Sequence, residues 1–232
     1  MTAPRGAVIV GRVLGAALIV AAVIVTFAGS WATWRAQGYA DRGTLVTNFF
    51  SYFTIDSNLA AAATFLIGAV LLIRRVLPEP GWFTVVRGAV VVYMTLTGVV
   101  YNLLLRGISV TAGGSEQAWT NEVVHVVAPV LVILDWLLAP GRRRLAWRSL
   151  PVMLVFPALW VSYTLIRGPR VYDQVRQLPA WYPYPFLNPA SSAGGYGTVT
   201  IYVVVITVAV TLGAVGVIAL SRSSKSRPLP QR

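Results

Sequence analysis

Six apolar runs of roughly bilayer-spanning length, at 7–30, 48–73, 85–105, 119–139, 150–166 and 198–220, constrain this chain more than any other feature. A membrane helix needs about 20 mostly apolar residues. Inside a bilayer every backbone N–H and C=O must be satisfied within the protein, which leaves helices as the solution for runs of this kind. The expected fold is all-α: a polytopic membrane protein built as a six-transmembrane-helix bundle. Composition agrees, with 56% hydrophobic and 11% charged residues, against about 25% charged in soluble domains. The first run is longer than a signal-peptide core, so it reads as a retained span.

The net charge of +12 is read as membrane-surface charge, because the arginines gather between spans; no nucleic-acid partner is expected. Arg5, Arg12, Arg74, Arg75, Arg87, the Arg142-Arg143-Arg144 triplet and the basic tail fall on one side. The poorer side holds Arg35, Arg42, Arg106, Arg167, Arg170 and Arg176. The richer side is expected to be cytoplasmic, with both termini inside. Trp31, Trp34 and Trp119 are expected at one interface, and Trp82, Trp136 and Trp147 at the other. Residues 1–220 form a single six-helix domain, and 221–232 a basic, disordered cytoplasmic tail. Lys225 is the sole lysine among many arginines, a composition suited to a GC-rich bacterium and its plasma membrane. The absence of cysteine and the single histidine argue against disulfides, thiolate metal sites, multi-histidine metal sites and bis-histidine haem. No cofactor and no metal are expected. The long connection at 168–197 is rich in aromatics and proline; it reads equally as a lid or as an interfacial anchor.

Polar residues inside spans are costly and mark function by default. Two clusters fall at one level. If the second span enters near Asn48 and the fourth near Trp119, Thr54 and His125 each lie roughly 9 Å in, at 1.5 Å per residue. Ser51, Thr54 and Asn58 share a helix face. Asn121 and Glu122 stand four and three residues before His125, within reach of it. Asp56 points elsewhere, about 200° round the helix from Thr54. Asn102 and Tyr163 lie near the same ends of the third and fifth spans. Asp135, about one turn from the arginine triplet, reads as an interfacial salt bridge, and the other halves of the spans read as nearly featureless. Pro129 bends its helix and frees a carbonyl.

A hydroxyl beside a histidine is the minimal nucleophile–base pair. Glu122, Asp56 and Asn121 are candidates to orient the imidazole; Asn58, Asn102 or a backbone amide are candidates to stabilise an oxyanion. No Gly-x-Ser-x-Gly elbow is present, so an α/β-hydrolase is excluded.

The stretch Asn121-x-x-x-His125-x-x-x-Pro129 resembles a motif of the androgen-induced gene family of small multispan membrane proteins. Phe50-Ser51-Tyr52-Phe53-Thr54 and Tyr184-Pro185-Phe186-Leu187 look like two further motifs of that family, in its order. The resemblance implies Thr54 as nucleophile and His125 as base in hydrolysis of fatty-acyl esters, with a membrane lipid or lipophilic molecule as substrate. Glu122 occupies a position the motif leaves free. The leading expectation is a threonine-dependent hydrolase of lipid or fatty-acyl esters with an outward-facing intramembrane pocket. A non-catalytic lipid-binding membrane protein is the alternative, and a transporter or proton relay through Glu122, His125 and Asp56 is a third.

Overall fold

The computed structural model describes residues 4–107 and 118–223. It is all-α: among the described residues there is no strand, only an isolated bridge pairing Asp173 with Leu178. Six helices are long and apolar enough to cross a membrane: Arg5–Ala36, Phe53–Ile73, Gly81–Leu105, Ala118–Leu138, Ser149–Arg170 and Gly195–Ser223. They fit an integral membrane protein. In chain order the α-helical elements are α1 (Arg5–Ala36), α2 (Arg42–Phe49), α3 (Phe53–Ile73), α4 (Gly81–Val100), α5 (Ala118–Glu122), α6 (Ala128–Leu138), α7 (Ser149–Arg167) and α8 (Gly195–Ser223). A π turn, Tyr101–Leu105, extends α4, and a second, Val123–Val127, joins α5 to α6.

Helix α4 lies at the centre, packed on α3, α6, α7 and α8, while α1 packs along α3. The α1–α3 seam is built from small residues, as membrane helix interfaces are. Ala16 and Ala22 of α1 and Ala61 and Ala62 of α3 are buried there, and a Cβ on Gly15 would stand 2.9 Å from the Phe65 ring. On the outside, Leu14, Ile24, Leu159, Ile166, Ile201 and Leu212 are exposed. A helix apolar all round is stable with lipid, not water, on its free face.

The second run is shorter than the expected 48–73. The chain breaks at Phe50 to Tyr52, between α2 and α3. Ser51 turns its hydroxyl onto Thr47 O (2.7 Å), and its own carbonyl accepts from Trp160 Nε1 (3.1 Å). Those bonds satisfy polar groups that a continuous helix would otherwise have to satisfy. Thr54 is therefore the second residue of α3, not a residue two turns inside it. The helix α8 runs through Ser223, where a disordered tail was expected from 221. Ser221 anchors that last turn: its hydroxyl accepts from Leu145 N (2.9 Å) and donates to Ile218 O (2.6 Å). Residues 224–232 lie outside the described residues.

The bundle end where α1 and α4 begin and α6 ends is not featureless. Asp135 does not pair with the arginine triplet. It binds Arg12 (2.7 Å) and Arg87 (3.0 Å) from two other helices, and Arg87 also binds Glu79 (2.7 Å). Arg12, Arg87 and Glu79 are buried, so these two arginines are not the surface charges the loop pattern implied. Gly68 makes room: a Cβ there would meet the Arg12 guanidinium at 2.5 Å. Trp136 is buried beneath the cluster, with Arg87 (5.4 Å) and Arg142 (4.8 Å) over its ring, and Arg142 donates to its carbonyl. Trp34 is likewise buried. These two tryptophans pack the core, whereas Trp31, Trp82, Trp119 and Trp147 are exposed.

Candidate functional site

At the opposite end, three elements distant in sequence meet around the start of α3. Thr54 Oγ1 stands 3.3 Å from His125 Nε2 and 3.2 Å from Tyr184 Oη; Thr54 N donates to the same Tyr184 oxygen at 3.3 Å. All three side chains are buried. His125 Nδ1 lies 3.0 Å from Asn121 O. A carbonyl only accepts, so Nδ1 carries the proton and Nε2 presents its lone pair to Thr54. The proton order is then consistent along the chain of groups. Tyr184 O–H donates to Thr54 Oγ1, Thr54 O–H to His125 Nε2, and His125 Nδ1–H to Asn121 O.

The π turns explain how His125 is presented. In the second, Ala128 N bonds to Val123 O, one residue further back than in an α-helix. Val124 O is thereby released, and Asn58 Nδ2 takes it (3.0 Å) together with Thr54 O (2.9 Å). Pro129 has no N–H to offer His125 O. Gly98 of α4 closes onto that carbonyl, where a Cβ would stand 3.2 Å away. The first π turn sets Tyr101 flat against the His125 ring, with centroids 4.0 Å apart at 16°. Tyr101 Oη in turn accepts from Asn121 Nδ2 (2.5 Å). Wide turns of this kind recur at functional sites because they re-aim one side chain without ending the helix.

Tyr184 arrives on the long connection between α7 and α8. Gly168 allows the fold-back, since a Cβ there would collide with the Tyr182 ring at 2.2 Å, and Trp181 N bonds to Gly168 O (3.0 Å). Trp181, Tyr182, Tyr184 and Leu187 are all buried. This part of the connection is thus packed into the bundle end, while Tyr172 and Leu178 before it are exposed. Burial pushes the Tyr184 hydroxyl up to about 12, so it stays a proton donor throughout the neutral range.

The remaining sequence candidates separate. Asn58 spends both amide hydrogens on carbonyls, and its Oδ1 has no partner among the described residues; it holds α3 to the π turn. Asn121 orients His125 through its backbone oxygen, not its side chain. Glu122 pairs with Arg106 (3.1 Å) with both side chains nearly half exposed. Asn102, exposed, donates to Gly98 O and accepts from Arg106 Nε. Tyr163 shares a hydrogen bond with Ser51 Oγ (2.8 Å), and Asp56 joins none of the hydrogen bonds around Thr54. Sequence reasoning singled out neither Tyr184 nor Tyr101 as a site residue. The Tyr184-Pro185-Phe186-Leu187 motif was the available signal for the first; nothing local distinguished the second.

A cavity of about 280 Å³ opens from this cluster between α4, α7 and α8. Thr54, His125 and Tyr184 line it together with apolar residues that include Leu96, Leu154 and Val210. Along α4 it runs from Leu105 back to Leu96, about 14 Å at 1.5 Å per residue. Ala158 of α7 and Thr207 of α8 line it and are themselves exposed, so its side wall is open between those helices. Among the described residues no cluster of three or more metal-ligating side chains occurs. Scans of protein-family models, curated proteins and solved structures each gave no match.

Proposed function

We propose that this chain is a threonine-dependent hydrolase of lipid or fatty-acyl esters, working within a bacterial plasma membrane. The observation that carries the reading is the hydrogen-bonded series Tyr184–Thr54–His125–Asn121 O on the wall of a mostly apolar cavity. In the mechanism we infer, His125 Nε2 takes the Thr54 proton as Oγ1 attacks the acyl carbonyl carbon. Thr54 N–H, at the positive end of the 21-residue α3, and Tyr184 O–H receive the charge that develops on the carbonyl oxygen. The bond to the alcohol oxygen then breaks, and His125 returns the proton to that oxygen. Water, deprotonated by neutral His125, cleaves the acyl-threonine to give the carboxylic acid and free Thr54.

The bundle has an even number of spans, so both ends of the described chain share the Asp135 end. The arginine excess near that end supports a cytoplasmic assignment for it, with the Thr54 cavity opening toward the outer leaflet. The three motifs resembling the androgen-induced gene family include Thr54, His125 and Tyr184, which supports the same chemistry.

A fluorophosphonate probe tests the reading on protein purified in detergent or nanodiscs. Labelling of wild type that disappears in Thr54→Ala and His125→Ala is the expected result. Absence of labelling in folded wild type would sink the hydrolase. The apolar lining of the cavity would then favour a second reading, a lipid-binding protein without catalysis, tested by identifying what co-purifies.

A further inference from the structure

The cavity at Thr54 has a neighbour with more polar groups in its lining. A second cavity of about 220 Å³ lies between the start of α8, the end of the Tyr101–Leu105 turn and residues 185–192. Leu105 and Phe186 line both cavities. Phe186 stacks on Tyr184, with centroids 5.3 Å apart at 6°, and so stands one ring away from Thr54. Besides apolar residues such as Leu104, Pro185 and Val199, the second cavity is lined by Asn188, Ser191, Ser192 and Thr198. The hydroxyls of Ser191 and Ser192, both exposed, and of half-buried Thr198 bond no other described residue, and Asn188 uses only its Oδ1, accepting from Ala190 N (3.0 Å). Donors and acceptors therefore remain for a guest.

Charge is what the described lining of this vestibule lacks. Among the described residues no Lys, Arg, Asp or Glu lines either cavity. Arg106 follows Leu105 in the chain but is engaged elsewhere: it binds Glu122 (3.1 Å) and Asn102 (3.0 Å) and lies over Tyr101 (5.2 Å). Arg167 lines neither cavity; it bonds Asn48 Oδ1 (2.7 Å) through Nη2 and lies over the Trp181 ring (5.2 Å), with its buried Nη1 left without a partner among the described residues. A phosphate or carboxylate entering here would lose its water without gaining a cation, whereas a hydroxyl would find partners.

The geometry points to a two-compartment substrate site: the acyl chain in the apolar cavity, the ester at Thr54, and a neutral, hydroxyl-bearing alcohol part in the vestibule beyond Leu105 and Phe186. This assignment rests on the hydrolase reading. It makes the substrate class uncharged acyl esters of polyols, not esters with an anionic head. Hydrolysis consumes one water and releases the fatty acid into the apolar cavity and the polyol into the vestibule.

Two esters that differ only in charge make the test: 1-oleoylglycerol and its 3-phosphate, offered to the full chain in nanodiscs. Turnover is expressed per fluorophosphonate-labelled site. The neutral ester is expected to show the higher kcat/KM by at least about tenfold, the scale on which a single unmatched polar group discriminates. Ser192→Lys, which places a cation in the vestibule, is expected to narrow that ratio by about tenfold. Thr198→Val is expected to lower turnover of the neutral ester by raising KM with kcat little changed, as loss of uniform binding does. Equal turnover of both esters, preference for the phosphate, or a ratio unmoved in Ser192→Lys overturns the head assignment while leaving the hydrolase standing. Labelling without turnover of the neutral ester does the same. No labelling and no turnover of either ester overturns both.

Discussion

At one end of the bundle Asp135 sits between two guanidiniums, Arg12 at 2.7 Å and Arg87 at 3.0 Å, with Glu79 completing the set. At the other end Thr54, His125 and Tyr184 are neutral, stand 3.2–3.3 Å apart, and border a cavity. Both clusters are buried and both join helices distant in sequence, yet the physics differs. A buried charge that loses its partner costs several kcal/mol, so a charged cluster holds its members in place and is not free to exchange protons. A neutral hydrogen bond nets only about 1 kcal/mol, so a hydroxyl and an imidazole can part, take up a substrate and pass a proton between them. The charged end holds helices; the neutral end is the one that the proposed hydrolysis requires to move.

Substitutions at the two ends test that contrast. The largest effect is expected from Thr54→Ala. Turnover of an acyl ester should fall by about 10⁴-fold or more, the usual result of removing a nucleophile. Its thermal unfolding should stay close to wild type, and a variant that keeps its activity would remove Thr54 from the chemistry. Asp135→Ala should reverse the pattern. It leaves Arg12 and Arg87 uncompensated, at a cost of about 3–5 kcal/mol in unfolding titrations. Turnover per folded molecule should be unchanged, because Asp135 lies at the far end of the bundle; a parallel loss of kcat would mean the ends are coupled.

Tyr184→Phe should lower kcat about 10²-fold by deleting one donor to the developing oxyanion. The stability cost should be near the ~1 kcal/mol of a single hydrogen bond. A large stability loss with unchanged kcat would make Tyr184 a packing residue instead. The smallest effect belongs to Glu122→Gln. Its half-exposed pair with Arg106 contributes about 0–1 kcal/mol. A pH–rate profile displaced by about one unit in this variant would return Glu122 to the site.

Much of this was legible in the residues. Hydropathy located the six long helices, because a run of about 20 apolar residues has few other ways to satisfy its backbone. That Thr54 and His125 lie toward the same end of the bundle was legible because each falls in the first third of a long apolar run and the two runs cross in the same direction. Other features were not. The break before α3 depends on Ser51 O meeting Trp160 Nε1, a contact 109 residues apart in the chain. Asp135 sat near an arginine triplet in sequence, yet its partners come from α1 and α4, at separations of 123 and 48 residues. Local charge proximity misled there because a helix turns side chains toward neighbours that its own sequence does not name.

What the sequence determined by itself is local: the fold class, the number of long apolar helices, and the pair of residue types suited to nucleophilic chemistry. Those follow from backbone satisfaction and hydropathy over windows of about 20 residues. Only the tertiary structure decided which polar groups meet. It brought Tyr184 to Thr54 across 130 residues of chain, gave the orienting role to a backbone carbonyl, and separated the ion cluster from the neutral one. The physical reason is that a buried polar group takes whatever partner packing brings within about 3 Å, and packing is a property of the whole bundle.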